Sequence, residues 1–166
     1  LYVVLFITLM AGCQSAKSRR TPQSRAEEQM LAKLSIARSY HRRANIAEQQ
    51  GKGKQAILEI EQILVLRFPK GFRAGEEMLL DAWGRKTTLL LKLNQPQKAL
   101  ASITKAIQRP SWLKHSFYRA HLFHIKGRVL ETLGKPYQAL KTYEHSIKLN
   151  QAVIREIQKS MRKERK

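Results

Sequence analysis

Cysteine, acidic residues and phosphate-binding motifs are scarce in this chain of 166 residues. Its one cysteine, Cys13, excludes a disulfide framework within the chain and a zinc site built on several cysteines. Neither GxGxxG nor GxxxxGK[ST] occurs, so the sequence lacks the two familiar glycine-rich phosphate loops. No stretch alternates apolar and polar residues as a half-buried strand would. These absences favour a helical chain without a nucleotide-binding motif.

The shortage of acidic residues gives the chain a large positive charge. Aspartate and glutamate number 12 against 32 lysines and arginines, so the net charge is +20. A hydrophobic content of 43% is nevertheless sufficient for a core. The few carboxylates form no convincing acid–base pair, and no serine lies in a nucleophile-elbow motif. We therefore predict that the protein is not an enzyme and has no cofactor.

Residues 1–12, LYVVLFITLMAG, are apolar and uncharged, and Cys13 follows them directly. A helix of this length spans about 18 Å, which is short of a bilayer core of about 30 Å but suits the apolar part of a signal peptide. The segment LMAGC resembles the lipobox of bacterial lipoproteins, which implies a lipid on Cys13. By the same resemblance, Gln14 after the cysteine implies the outer membrane, facing the periplasm. The alternative is a buried strand or an uncleaved anchor.

Residues 13–26 are predicted to be the lipidated cysteine and a basic tether. After Cys13 this segment is polar, contains Pro22 and has no acidic residue. It is either a solvated spacer or a segment attracted to anionic lipid headgroups, and both roles are compatible with its composition.

From residue 27 onwards the spacing of apolar residues indicates helices. Apolar residues recur every three or four positions on one face of the first helix, namely Met30, Leu34, Ala37, Tyr40, Ala44 and Ala47. Glycine and proline then interrupt the pattern at five places, near residues 51–53, 69–71, 94–96, 110 and 134–136. The body, residues 27–150, is therefore predicted to hold six helices arranged as three hairpins.

The three hairpins align with one another around Ala56, Ala99 and Ala139. Aromatic residues precede these alanines at matching places, and so do small residues; the sets are Tyr40, Trp83 and Phe123, and Ala44, Thr87 and Gly127. This pattern resembles the tetratricopeptide repeat, with units at 37–70, 80–113 and 120–153. The resemblance implies an all-α solenoid of three helical hairpins, and residues 151–166 are predicted to be a C-terminal capping helix that ends in a basic tail.

In tetratricopeptide domains the first helix of each hairpin lines a concave groove that binds a peptide or a helix. The resemblance implies these partner-binding groove residues: Arg38, His41, Asn45, Glu48, Thr88, Lys92, His121, His124 and Arg128. The second helices carry Lys98, Lys105, Lys141 and Lys148, which are predicted to form a basic outer face or simply to keep the solenoid soluble. His121 and His124 share a helix face, but no third ligand is evident, so we predict no metal site.

The leading functional hypothesis is a lipid-anchored scaffold that binds a partner protein or peptide and holds it at the outer membrane. The segment RFPKG at residues 67–71 resembles repeats of outer-membrane-assembly lipoproteins, which implies a role in envelope, secretion, pilus or outer-membrane-protein assembly. The alternative is a protein that binds anionic polymers or a membrane surface through its basic residues. Nucleic-acid binding is less favoured, because a signal peptide would separate the protein from nucleic acid and most of the aromatic residues are at predicted core positions.

Overall fold

The computed structural model describes residues 21–165, which form six helices. The helices are α1 (Pro22–Gln49), α2 (Gly53–Leu64), α3 (Arg73–Lys92), α4 (Pro96–Gln108), α5 (Phe117–Thr132) and α6 (Pro136–Glu164). This part of the chain contains no strand, and the predicted all-α solenoid of helical hairpins is confirmed. The predicted signal peptide, Cys13 and the tether as far as residue 20 lie outside the described residues.

The same backbone turn closes all three hairpins. One residue in each turn has a positive φ: Gly51 at 72°, Asn94 at 54° and Gly134 at 67°. The amide of the following residue then donates to a carbonyl five residues back, over 2.8 to 2.9 Å, in the pairs Lys52–Ala47, Gln95–Leu90 and Lys135–Leu130. This is the Schellman arrangement, which satisfies carbonyls at a helix end. It holds the paired helices in the same antiparallel relation in every hairpin.

Small residues permit close contact between the helices. The aligned alanines Ala56 and Ala99 are fully buried, and Ala139 is only 1% exposed. In the third hairpin, a Cβ added at Gly127 would overlap the ring of Tyr143. Two clusters of buried side chains result, one between the first and second hairpins and one between the second and third, and Ile57 packs against both. Stacking of neighbouring hairpins therefore supplies the core.

The pattern of helix contacts shows which side of the solenoid is concave. Within residues 21–165, α1 touches α3 and α3 touches α5, whereas α2 does not touch α4 and α4 does not touch α6. The first helices of the hairpins are therefore crowded together on the inside of the curve. Their exposed residues line the concave face.

Helix α1 begins inside the segment that the sequence predicted to be a tether. It starts at Pro22, so residues 22–26 are helical. The side chain of Thr21 caps the helix by accepting a hydrogen bond from the amide of Ser24 at 3.2 Å. Threonine is a favoured cap, and proline is well tolerated in the first turn, where its missing amide proton leaves no hydrogen bond unmade.

The predicted capping helix at residues 151–166 is helical, but it continues α6 without a break. No glycine or proline lies between residues 137 and 164 to end the helix. In this C-terminal part of α6, Ile157 and Met161 remain 53% and 49% exposed. Within residues 21–165, none of the helices combines the length and apolar character needed to cross a bilayer.

Candidate partner-binding groove

A network of charged side chains joins α1 to α3 on the concave face, with Arg85 at its centre. One nitrogen of Arg85, Nη2, donates to Oδ1 of Asn45 and lies 3.3 Å from Oε2 of Glu48. The other oxygen of Glu48, Oε1, is 2.5 Å from Nζ of Lys92. The hydrogen bond from Lys92 is the largest cause of a lowered pKa for Glu48, which therefore stays ionised.

His41 and Asp81 face each other one turn along the same groove. Nε2 of His41 lies 3.4 Å from Oδ2 of Asp81, but the pair lacks hydrogen-bond geometry. That nitrogen is buried and has no hydrogen-bond partner among the described residues. Burial lowers the pKa of His41, Asp81 opposes the shift, and the positive charge of Arg85 adds to it. The imidazole is therefore biased toward its neutral form.

A row of rings lines the part of the groove contributed by α5. Phe117 stacks on His121 with ring centroids 6.0 Å apart, and His121 stacks on His124 at 6.1 Å. His124 then approaches Tyr143, whose hydroxyl donates to Glu131 at 2.7 Å. Burial, reinforced by that hydrogen bond, raises the pKa of Tyr143 to about 12. Burial also lowers the pKa of His121.

Five of the side chains named above, Glu48, Asp81, Arg85, Lys92 and His121, line a cleft of about 290 Å³ between the first helices. Its walls come from all three hairpins; they are Glu48, Asp81, Gly84, Arg85, Thr88, Leu89, Lys92 and His121. A Cβ at Gly84 would lie 2.9 Å from Cδ1 of Ile125, so α3 and α5 pack closely beneath the cleft. The arrangement supplies hydrogen-bond donors and acceptors around a shallow depression, which suits recognition of a peptide chain.

A family model of the tetratricopeptide repeat matches residues 120–153, the same bounds as the third predicted unit. The chain contains a tetratricopeptide repeat. No curated protein and no solved structure matches the chain. Tetratricopeptide repeats are typically non-catalytic modules for protein interaction, and a role in protein binding is therefore supported. The concave face is the place to expect it.

The structure brings most of the predicted groove residues together. Six of them surround Asp81 and Arg85, namely His41, Asn45, Glu48, Thr88, Lys92 and His121. His124 lies next along the ring row of α5. Arg38 and Arg128 are exposed and make no ion pair with any described residue. Sequence reasoning missed Arg85, although it lies four residues after Asp81 and therefore on the same helix face.

The four lysines of the predicted basic outer face lie on two helices, Lys98 and Lys105 on α4 and Lys141 and Lys148 on α6. Lys98 and Lys105 line a cavity of about 510 Å³ between the first and second hairpins, where Nζ of Lys105 is 5.7 Å from the ring centroid of Trp83. Lys141 instead lies over the ring of Tyr137, on α6.

The described residues contain no group of three or more histidine, cysteine, aspartate or glutamate side chains that could hold a metal ion. The stacked pair of His121 and His124 therefore has no third ligand of these types in this part of the chain.

The two groove histidines with lowered pKa values predict a loss of stability at acidic pH. Their folded-state pKa lies below that of the unfolded chain, so the unfolded state binds more protons. The stability contributed by these two neutral histidines is therefore fully present above about pH 6.5 and is lost as the pH falls through their lowered folded-state pKa values. Between about pH 7.5 and about pH 5.5, the free energy of unfolding in urea should decline less for His41→Gln/His121→Gln than for the wild type. If the free energy of unfolding depended on pH identically in the two proteins, His41 and His121 would not be the cause of the decline.

Proposed function

We propose that this protein is a non-enzymatic scaffold that binds a segment of a partner protein in the groove formed by α1, α3 and α5. The supporting observation is the cleft of about 290 Å³, on which polar side chains from all three hairpins converge. A tetratricopeptide repeat at residues 120–153 supports the same role. A groove that spans the three hairpins can read several residues of an extended or helical segment at once.

The charges of the groove indicate the chemistry of its ligand. Glu48 is already neutralised by Arg85 and Lys92, while Arg38 and Arg128 are exposed and lack ion-pair partners among the described residues. An arginine can hold a carboxylate with two parallel hydrogen bonds. We therefore propose that the bound segment carries acidic residues that reach Arg38 and Arg128.

Site-specific crosslinking in cells tests the groove. A photoreactive phenylalanine derivative at His124 keeps a ring in the stacked row, and the same derivative at Gln62 on α2 is the matched control. We expect the residue at position 124 to crosslink a defined partner and the residue at 62 to leave that partner unlinked. A partner captured from position 62 but not from position 124 would exclude groove binding.

We further propose that a lipid on Cys13 anchors this scaffold at the outer membrane, facing the periplasm. The proposal is supported by the apolar residues 1–12, the segment LMAGC and the absence of any other cysteine. Two or more acyl chains would hold the domain stably, because each buried methylene contributes about 0.8 kcal/mol. The scaffold would then present its partner to machinery for envelope, secretion, pilus or outer-membrane-protein assembly.

Metabolic labelling tests the anchor. Cells that express the protein and are fed labelled palmitate should yield a labelled band, and Cys13→Ser should abolish the label without changing the amount of folded domain. Gln14→Asp should keep the label and move the protein toward the inner membrane in fractionated cells. A wild-type protein that carries no label would exclude lipidation.

A second candidate function is the binding of an anionic polymer or an anionic membrane surface. It is favoured by the cavity of about 510 Å³, in which Lys54, Lys86, Lys98 and Lys105 surround Trp83. Among residues 21–165, Glu61 is the only acidic residue in its walls. Glu61 is itself bonded to Lys86 at 2.6 Å. Binding of this kind should fall steeply as salt is added, whereas groove binding should fall less. Lys98→Gln/Lys105→Gln should remove the steep salt dependence of binding.

A further inference from the structure

Helix α6 carries a row of exposed apolar side chains along its outer side. Leu140, Ile147, Ile154 and Met161 are seven residues apart, and their exposed fractions are 62%, 57%, 53% and 49%. Seven residues are close to two helical turns, so the four side chains lie along nearly the same side of the helix. We call this line the apolar row. Leaving so much aliphatic surface in water is costly, which indicates that something covers it.

The other two hairpins show what covers the same positions. Leu140 aligns with Ile57 and Leu100, and Ile147 aligns with Leu64 and Ile107. All four counterparts are half-buried and pack against the core clusters that neighbouring hairpins share. Helix α3 packs on α2 there, and α5 packs on α4. Helix α6 contacts only α5 among the described helices. Leu140 and Ile147 therefore occupy the positions at which α2 and α4 each contact the first helix of the next hairpin, and Ile154 and Met161 extend the row beyond them.

A line of positive charge accompanies the apolar row. Each of its four residues is followed directly by a basic residue, in the order Lys141, Lys148, Arg155 and Arg162. Successive residues are about 100° apart around the helix, so these side chains form a second line parallel to the first. All four are exposed, and none makes an ion pair within residues 21–165. Glu144, Gln151 and Gln158 lie between the two lines, each four residues after a member of the apolar row.

We propose that the apolar row and the basic line of α6 form a docking site for an amphipathic α-helix of a partner protein, one edge of which carries acidic residues. The apolar side of that helix would pack on Leu140, Ile147, Ile154 and Met161, as α3 packs on α2. Its acidic edge would face the four basic residues. This site lies on α6, away from the concave groove, and does not depend on the function proposed for the groove.

Charge decides between this occupant and a second copy of the chain. A second copy would bring another +20 of net charge together with its own basic line, and the two molecules would repel each other. An acidic helix meets the basic line with opposite charge along its whole length. Electrostatic complementarity of this kind selects a partner and fixes its direction.

A charge-swap titration with the full chain tests the docking site. The probe is a labelled synthetic helix of about four heptads with leucine at the apolar positions and glutamate along one edge, and its counterpart has lysine in place of glutamate. Fluorescence anisotropy should show that the glutamate probe binds at least about tenfold more tightly than the lysine probe. Lys148→Glu/Arg155→Glu leaves two basic and two acidic residues in the line and should abolish that preference. Ile147→Glu/Ile154→Glu should weaken binding of the glutamate probe by about tenfold or more.

The control is Leu58→Glu/Val65→Glu, which places the same two negative charges on apolar residues of the first hairpin that are 52% and 71% exposed. It should leave binding of both probes unchanged, and circular dichroism should show that every variant is folded. Equal binding of the two probes, or no effect of Ile147→Glu/Ile154→Glu, would overturn the proposal. If sedimentation instead showed a dimer that Ile147→Glu/Ile154→Glu dissociates, that result would overturn the proposal in favour of a second copy of the chain. Release of the protein from vesicles of phosphatidylcholine and phosphatidylglycerol by the same substitutions, with probe binding unaffected, would also overturn it.

Discussion

Ala99→Phe is expected to lower the free energy of unfolding by about 1–3 kcal/mol or more. Ala99 is fully buried and belongs to the cluster that contains Leu90 and Ile103. A benzyl group at this position has no space, so α4 would have to move away from its neighbours. Because one cluster is shared by the second and third hairpins, the displacement would disturb both. Urea unfolding followed by circular dichroism gives the measurement.

The neighbouring residue supplies the control for this substitution. Lys98 is exposed, and Lys98→Ala should change the free energy of unfolding by less than about 0.5 kcal/mol. A large difference between two adjacent positions is specific to the packing described for α4. Similar losses of stability for the two variants would show that the register of this helix is wrong.

Arg38→Gln/Arg128→Gln is expected to lower the affinity of the partner captured by the groove by about a hundredfold or more. A hydrogen bond to a charged group contributes about 1.5–3 kcal/mol, and each 1.4 kcal/mol corresponds to a factor of about ten in affinity. Neither arginine forms an ion pair within the described residues, so the melting temperature should stay near that of the wild type. Isothermal titration calorimetry with the acidic segment of the crosslinked partner measures the loss.

Lys98→Gln/Lys105→Gln is the matched control, because it removes the same amount of charge from the outer cavity. We expect it to bind the segment nearly as well as the wild type at physiological salt. If the outer variant lost binding and the groove variant kept it, the anionic-polymer function would replace the scaffold function.

The hairpin fold could be predicted because its signals lie in single residues at fixed places. Small residues such as Ala56 and Ala99 are where helices touch, and a larger side chain there would prevent the contact. Gly51 and Gly134 mark turns that need a positive φ. Asn94 performs the same task in the second hairpin, and asparagine is among the residues that tolerate this conformation.

The helix ends were harder to predict, because composition and local capping favoured different boundaries. Basic residues suggested a tether up to residue 26, yet Thr21 and Pro22 are a cap and a helix start. At the other end, the length of the repeat suggested a boundary after residue 150. No residue there breaks the helix, and local helix propensity carries α6 to Glu164.

The sequence predicts which helix faces line the groove, but it does not predict the hydrogen bonds and ion pairs that join those helices. Helical spacing places His41, Asn45 and Glu48 on one side of α1, and the structure agrees. Their partners come from α3, and the sequence does not reveal which side chain reaches across from one helix to another. Asn45 was expected to be free for a ligand, but it accepts a hydrogen bond from Arg85. Arg38 and Arg128 are better candidates for ligand contacts for that reason.

The contacts of this chain are confined to helices that are near neighbours in sequence. Neither helix of the first hairpin touches either helix of the third. In such a linear array an end hairpin can open while the others stay folded, and the middle hairpin, held from both sides, opens last. A ligand that lies across all three hairpins binds only when both ends are closed. Part of its binding energy is therefore used to suppress the opening of the ends, and amide hydrogen exchange in α1 and α6 should slow when the groove is occupied.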